Sequence, residues 1–233
     1  MRAIVIVPTY NERASLEQFV ETLQQVSPEL HVLIVDDSSP DGTGELAEEL
    51  SQKYPEKVFV LHRPMKEGLG KAYIDGFGHA LTKDYEYILQ MDADLSHDPH
   101  QLPPFFEQIR NHDLVVGSRY LNGISVVNWD FKRLVISKLA TKYVQFVTGM
   151  RLTDAMGGFN CWRRETLEAI SFEQSFSSGY LFQVEMKYKA YRKSFSVAEV
   201  PIIFIERKSG DSKLDWRVIW EAIWGVIRLR FKY

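Results

Sequence analysis

The chain has 233 residues, 45% of them hydrophobic and 25% charged, which is the size and balance of one globular domain or of one domain with an appendage. A net charge of -3 argues against a general nucleic-acid binder, and a lone cysteine, Cys161, excludes an internal disulfide and fits a reducing compartment. No signal peptide follows Met1-Arg2, and no uninterrupted apolar run reaches the ~20 residues that span a bilayer.

Ala3 to Val7 is an apolar, β-branched run closed by Pro8, as in a buried parallel strand. Leu16, Phe19, Val20, Leu23 and Val26 then repeat at helical spacing. Val32 to Val35 is a second strand and runs into Asp36-Asp37-Ser38-Ser39-Pro40-Asp41-Gly42-Thr43, an acidic loop with turn signals. A helix over 45–54 and a strand over 58–61 complete a β-α-β-α-β alternation, which predicts a parallel sheet with right-handed crossovers. Gly68-Leu69-Gly70 opens a helix to Leu81; its glycines serve either helix packing or the approach of a ligand.

Tyr87 to Gln90 reads as a fourth strand and leads into Met91-Asp92-Ala93-Asp94-Leu95-Ser96. Two carboxylates at i and i+2 of an extended backbone would share one face, at the strand end where ligands of open α/β sheets bind. Such a pair repels unless a cation intervenes, and a hard divalent ion that also binds substrate phosphates suits it. Asp92 and Asp94 are therefore candidate ligands of a metal–diphosphate site. The alternative is a solvated Asp-rich turn ahead of a helix starting after Asp98-Pro99.

Leu114 to Tyr120 is a further strand, with Arg119 near its end. Over 131–148, Lys132, Arg133, Lys138 and Lys142 interleave with apolar residues, so this helix either lies on a membrane surface or packs on the domain. Residues 154–164 are glycine-rich and return the chain to the sheet, a helix runs from Gly179 to about Arg192, and Pro201 marks the strand over 197–205 as an edge. Residues 207–213 form a basic, glycine-containing loop. From Arg207 onward seven basic residues face three acidic ones, and Trp216, Trp220 and Trp224 lie among them. This pattern suggests an interfacial helix over 214–233, with docking on the sheet as the alternative.

Taken together, Pro8-Thr9-Tyr10-Asn11-Glu12, Val35 to Thr43, Gly68-Leu69-Gly70, Gln90 to Pro99, Gly117-Ser118-Arg119-Tyr120 and Arg207 to Lys213 resemble the dolichol-phosphate (polyprenol-phosphate) mannose synthases. These are inverting glycosyltransferases of the GT-A fold, an α/β architecture with a mostly parallel central sheet. The resemblance covers residues 1–213 as a catalytic domain, with 131–148 as an interfacial helix inside it and 214–233 as an amphipathic appendage. It implies that Pro8, Tyr10, Glu12, Val35 and Asp37 hold the donor base and ribose. Asp92, Ala93 and Asp94 would bind the donor and an Mg²⁺ or Mn²⁺ ion, Arg207 and Lys213 the donor diphosphate, and Arg119, Arg133 and Ser137 the acceptor phosphate. Some members carry Gln where this chain has Ser96, so water rather than Ser96 is expected on the metal.

The implied reaction moves mannose from GDP-mannose to dolichyl or polyprenyl phosphate with inversion, and Asp94, Arg119 and Arg207 carry the catalysis. A UDP-glucose-dependent glucosyl analogue and a non-catalytic sugar-nucleotide-binding subunit are the alternatives. The implied location is the cytoplasmic face of a membrane, peripheral and without a span. A small membrane subunit stays open as a partner, because relatives differ in needing one, and nucleic acid is not a partner. Gly210 and its polar neighbours suggest a flap that orders on the donor.

Overall fold

The computed structural model describes residues 2–205 and 216–233, with 216–222 described through the backbone alone. Its first half alternates strand and helix: β1 (Ala3–Thr9), α1 (Arg13–Val26), β2 (His31–Asp36), α2 (Thr43–Lys53), β3 (Val58–His62), α3 (Leu69–Leu81) and β4 (Tyr87–Gln90). After β4 come α4 (Leu102–Gln108), β5 (Leu114–Ser118), β6 (Val126–Val127), α5 (Phe131–Thr148), β7 (Asn160–Arg163) and α6 (Arg164–Ala169). The last elements are α7 (Gly179–Arg192), β8 (Val197–Pro201), β9 (Phe204–Ile205) and α8 (Trp216–Lys232).

Seven strands form one sheet in the order β3-β2-β1-β4-β7-β5-β8. β7 is antiparallel to both its neighbours, and the other pairings are parallel. β8 is one edge of this sheet, as Pro201 predicts, but the strand expected over 197–205 ends at Pro201, and Phe204–Ile205 pairs elsewhere as β9. β6 and β9 pair separately, and His97 bridges to Phe204 beside them.

The alternation along β1 divides the core. Val5 and Val7 point to the layer of α1, α2 and α4; Ile4 and Ile6 point to that of α3 and α7. Each of these side chains leaves 1% or less of its surface to water, and full burial of a Val or Ile contributes about 1.5–3 kcal/mol. Cys161 sits inside the sheet, where burial pushes its thiol well above the usual range, so it is an inert packing residue. Gly70 packs tightly: a Cβ there would lie 2.9 Å from the Ser177 carbonyl and 3.1 Å from the Phe182 ring. This favours the packing role for that glycine.

α8 lies against α5 and α7, where Val226 and Leu229 join Val144, Val184 and Tyr188 in a third apolar cluster. Trp224 and Phe231 stay exposed. Among the described residues no helix is long and apolar enough to cross a membrane.

Candidate functional site

The carboxyl ends of β1, β2, β4 and β5 and the start of β7 converge on one rim of the sheet. The loops after β1 and β2 are laced together. Asp37 N–H donates to the Thr9 carbonyl (3.1 Å), and Asn11 N–H donates to Ser39 Oγ (3.1 Å). Asp36 accepts from the Thr9 and Ser39 hydroxyls and has a structural task. Asp37 is buried against Arg63, which also reaches Asp75 (2.7 Å) and Glu67 (2.8 Å). Burial alone would loosen the Arg63 proton, but Asp37 and Asp75 outweigh it and hold the guanidinium charged.

Tyr10 exposes its ring, and the Lys66 amine sits 3.6 Å from the ring centroid. Glu12 anchors the loop, its N–H donating to Thr43 Oγ1 (3.0 Å) and its carboxylate accepting from Ser15. Pro8 is half-buried beside them. Val35 packs its side chain in the lower core, so any contact it makes with a donor is through its main chain. Ala93 is likewise buried.

The carboxylate pair departs from the geometry expected of a strand. β4 stops at Gln90, whose side-chain carbonyl accepts from Asn160 Nδ2 (3.0 Å) and Trp162 Nε1 (2.8 Å). Asp92 follows outside the strand, and Asp94 lies in a turn. Asp94 Oδ1 accepts from Ser96 N (3.0 Å) and Ser96 Oγ (2.5 Å), and Leu95 takes φ 63°. Such local side-chain bonds compete with a strand and win where no neighbouring chain pairs the backbone.

Both carboxylates still act on one place. The buried Tyr73 hydroxyl beneath the loop is held well above its usual range, first by burial and then by the charges of Asp92 and Asp94. Asp92 is itself raised, chiefly by burial; Asp94 adds to this, and His97 and Arg119 oppose it. The Asp92 N–H donates to His97 Nδ1 (3.0 Å), so that ring nitrogen serves as an acceptor.

Two hard-oxygen ligands in a partly enclosed, mutually repelling pair suit a divalent cation. Among the described residues no group of three His, Cys, Asp or Glu side chains could hold a metal. An ion here would complete its shell with substrate and water oxygens, as Mg²⁺ and Mn²⁺ do in phosphate sites.

Across the rim, Arg119 is buried and clamped side-on. Its Nε and Nη2 donate to the two oxygens of Asp154 (2.6 and 2.8 Å), and its own N–H donates to Asp154 Oδ2 (3.2 Å). Burial would raise the Asp154 carboxyl, but Arg119 overrides this and holds it below the usual range. Glu199 accepts from the N–H groups of Thr153 (2.9 Å) and Asp154 (3.1 Å). From below, Lys187 donates to the carbonyls of Gly157 (2.6 Å) and Ala155 (3.2 Å), and its pKa is lowered by burial to about 7.

This 153–158 loop serves both sides of the site. It clamps Arg119, and it lays Gly158 so close to the carboxylate turn that a Cβ there would be 3.8 Å from both Asp92 oxygens.

Three rings, those of Tyr120, Trp129 and Phe204, lie 5.3 to 5.5 Å from the Arg119 guanidinium. Arg133 stacks on the same Trp129 at 4.5 Å. Ser137 Oγ is 2.7 Å from the Tyr120 hydroxyl. The structure thus gathers Arg119, Arg133 and Ser137, expected at the acceptor phosphate, into one patch. Arg207 and Lys213, and with them the suggested flap over 207–213, lie outside the described residues.

Sequence reading gave no role to Arg63, His97, Trp129, Asp154 or Lys187, although His97 lies inside the Gln90–Pro99 motif and Asp154 opens the glycine-rich stretch.

Residues 4–171 match the model of glycosyl transferase family 2. A polyprenol monophosphomannose synthase of Mycolicibacterium smegmatis is 44% identical over 97% of this chain and 87% of its own. An undecaprenyl-phosphate mannosyltransferase of Micrococcus luteus is 44% identical over 98% of this chain and 93% of its own.

Among solved structures, a Mycobacterium tuberculosis glucosyl-3-phosphoglycerate synthase with Mn²⁺, UDP and phosphoglyceric acid has a TM-score of 0.73 at 14% identity, covering 98% of this chain and 78% of that one. A Pyrobaculum calidifontis mannosyltransferase with GDP-mannose and Mn²⁺ has a TM-score of 0.66 at 19% identity, covering 93% and 60%. These likenesses bear on the fold, which is the expected α/β GT-A architecture.

Proposed function

The chain belongs to glycosyl transferase family 2, and from that premise we propose that it transfers mannose from GDP-mannose to a polyprenyl or dolichyl phosphate with inversion at the anomeric carbon. The observation that carries the reading is the Arg119–Trp129–Arg133 stack beside the Asp92–Asp94 turn. A cationic patch for one anion stands next to an acidic pair that suits a metal-bound second anion. Both relatives, matched over most of their length, bear names of mannosyl transfer to a polyprenyl phosphate, which supports the same chemistry.

The acceptor, a phosphate monoester, is already anionic near neutral pH and needs no strong general base. Arg119 and Arg133 would hold it by charge-assisted bonds, with Ser137 alongside. The Asp154 clamp fixes the direction of Arg119, so the protein's contribution is position and field. Asp92 and Asp94 would hold an Mg²⁺ or Mn²⁺ ion, which supplies charge stabilisation to the departing nucleoside diphosphate. Arg207 and Lys213 are assigned to the same diphosphate. Pro8, Tyr10, Glu12, Asp37 and the main chain of Val35 take the nucleoside; carboxylates there accept from a base edge or ribose hydroxyls.

A polyprenyl phosphate presents its head group at a membrane surface, and α5 supports access to it. Phe131, Leu139 and Phe146 are 77%, 62% and 90% exposed. They fall on one helical face, with Lys132, Lys138 and Lys142 interleaved. We assign this face to the cytoplasmic surface of a membrane, bound peripherally.

The test is product formation from radiolabelled GDP-mannose, a short polyprenyl phosphate and Mg²⁺ or Mn²⁺, with this chain alone. Labelled lipid is the expected result. Turnover with UDP-glucose and none with GDP-mannose would overturn the donor assignment, and nucleotide binding without turnover would make the chain a binding subunit.

A further inference from the structure

Trp129 stands between β6 and α5, one residue before Asp130, whose side chain caps α5 by accepting from the Arg133 N–H (2.7 Å). Its ring meets Phe204 edge-on at 5.8 Å, with the Arg119 and Arg133 guanidiniums 5.3 and 4.5 Å from its centroid. The indole Nε1 is shut off from solvent and has no hydrogen-bond partner among the described residues. An indole nitrogen can only donate, and a donor deprived of both water and partner forfeits its full desolvation free energy.

Among the described residues four other buried polar atoms share that state. Those of Gln90, Asn160 and Gln183 belong to one amide cluster whose members bond each other through their remaining atoms. The fourth is a hydroxyl of α5, at Thr141. Trp129 differs because its surroundings are cationic. Arg119 spends Nε and Nη2 on Asp154, and its Nη1 has no hydrogen bond among the described residues. Two guanidiniums on the ring and an unmet N–H make a place rich in donors. Its chemical complement is an anion with several acceptor oxygens.

We infer that acceptor binding opens this pocket and that the Trp129 indole N–H then donates to an oxygen of the acceptor phosphate, making Trp129 a binding residue for that phosphate beside Arg119 and Arg133. The inference rests on the polyprenyl-phosphate reading above. Trp129 then has two tasks in one side chain: its ring packs against two guanidiniums, and its edge supplies a neutral donor. A phosphate monoester can serve all three groups with separate oxygens, whereas a sugar hydroxyl offers a single oxygen.

Steady-state kinetics on wild type, Trp129→Phe and Trp129→Leu, varying the short polyprenyl phosphate and GDP-mannose in turn, separates the two tasks. Phenylalanine keeps a ring for the arginines and removes the N–H. It should raise the KM for the lipid phosphate roughly tenfold or more, the effect of one hydrogen bond to a charged group. The KM for GDP-mannose should stay at the wild-type value, and the melting temperature should not fall, since an unmet donor is removed. Leucine removes the ring as well and should raise the lipid KM further.

Trp129→Phe with a wild-type lipid KM would overturn the inference. So would an equal loss in both substrates' KM, because that marks a packing role. A wild type that turns over no polyprenyl phosphate overturns the functional reading first, and the inference with it.

Discussion

Replacing Asp154 by Asn tests the clamp on which the acceptor half depends. Asp154 is fully buried and accepts three bonds from Arg119 and one from Gly157 N–H (3.1 Å). Asparagine keeps one acceptor oxygen but leaves the buried guanidinium without a counter-charge. Breaking a buried pair by removing one partner costs about 3–5 kcal/mol. For a domain of this size each kcal/mol is worth ~2–4 °C, so the melting temperature should fall by roughly 6–20 °C.

The double variant Arg119→Gln with Asp154→Asn removes the stranded charge. It should recover at least ~1 kcal/mol relative to Asp154→Asn alone, because neighbours in one network are not additive. Acceptor turnover should be lost in both. The pH dependence has a definite sign. The folded Asp154 carboxyl lies below its unfolded value, so its contribution is present above about pH 4 and is lost as pH falls through the folded value. The gap between wild type and Asp154→Asn should therefore close on acidification. Denaturant unfolding across pH 3 to 7 reads all of this. Strictly additive losses, with the double variant the least stable of the three, would refute the stranded-charge argument.

Asp94→Ala should lower mannosyl transfer by two or more orders of magnitude, on the scale of lost charge stabilisation, and excess chelator should abolish wild-type turnover; full activity in chelator would remove the metal role. Lys187 has its folded pKa lowered to about 7 by burial, so the unfolded chain binds more protons above that pH and wild-type stability should rise relative to Lys187→Met between about pH 7 and 10, by at most ~1.4 kcal/mol per unit. A parallel pair of stability–pH curves would show that this amine does not titrate there. Glutamates at Phe131, Leu139 and Phe146 should abolish co-flotation with anionic liposomes while sparing donor binding, since apolar burial and about 1 kcal/mol per nearby basic residue drive attachment; undiminished flotation would place the membrane contact elsewhere.

Local signals carried most of the architecture. Helix α7 begins at Gly179 and α5 covers 131–148, as read from spacing alone. Periodicity records which face a residue buries, and burial against the sheet is what fixes these elements. The carboxylate turn was legible as chemistry and misread as geometry, because the Ser96 bonds to Asp94 win only where no neighbouring strand pairs that backbone, which is a tertiary fact. Arg119 stood out at a strand end, but its counter-ion did not, since Asp154 lies 35 positions away and owes its role to tertiary placement. Val35 and Ala93 fit a donor motif by position, while their side chains serve the core. Trp129 carried no periodic signal, because a residue between two elements is described by its neighbours in space.

The place of β7 also sets a calendar for biogenesis. It lies between β4 and β5 yet is made after both. At ~5–20 residues per second, the roughly 40 residues from Arg119 to Asn160 take on the order of 2–8 s to emerge from a ribosome. During that interval β4 offers an unpaired edge, the kind of surface that invites pairing with another chain. The acidic turn and the arginine are both already synthesised, yet nothing holds them at a fixed separation. A nascent chain halted before Asn160 would own most of the reactive groups and none of the distance between them.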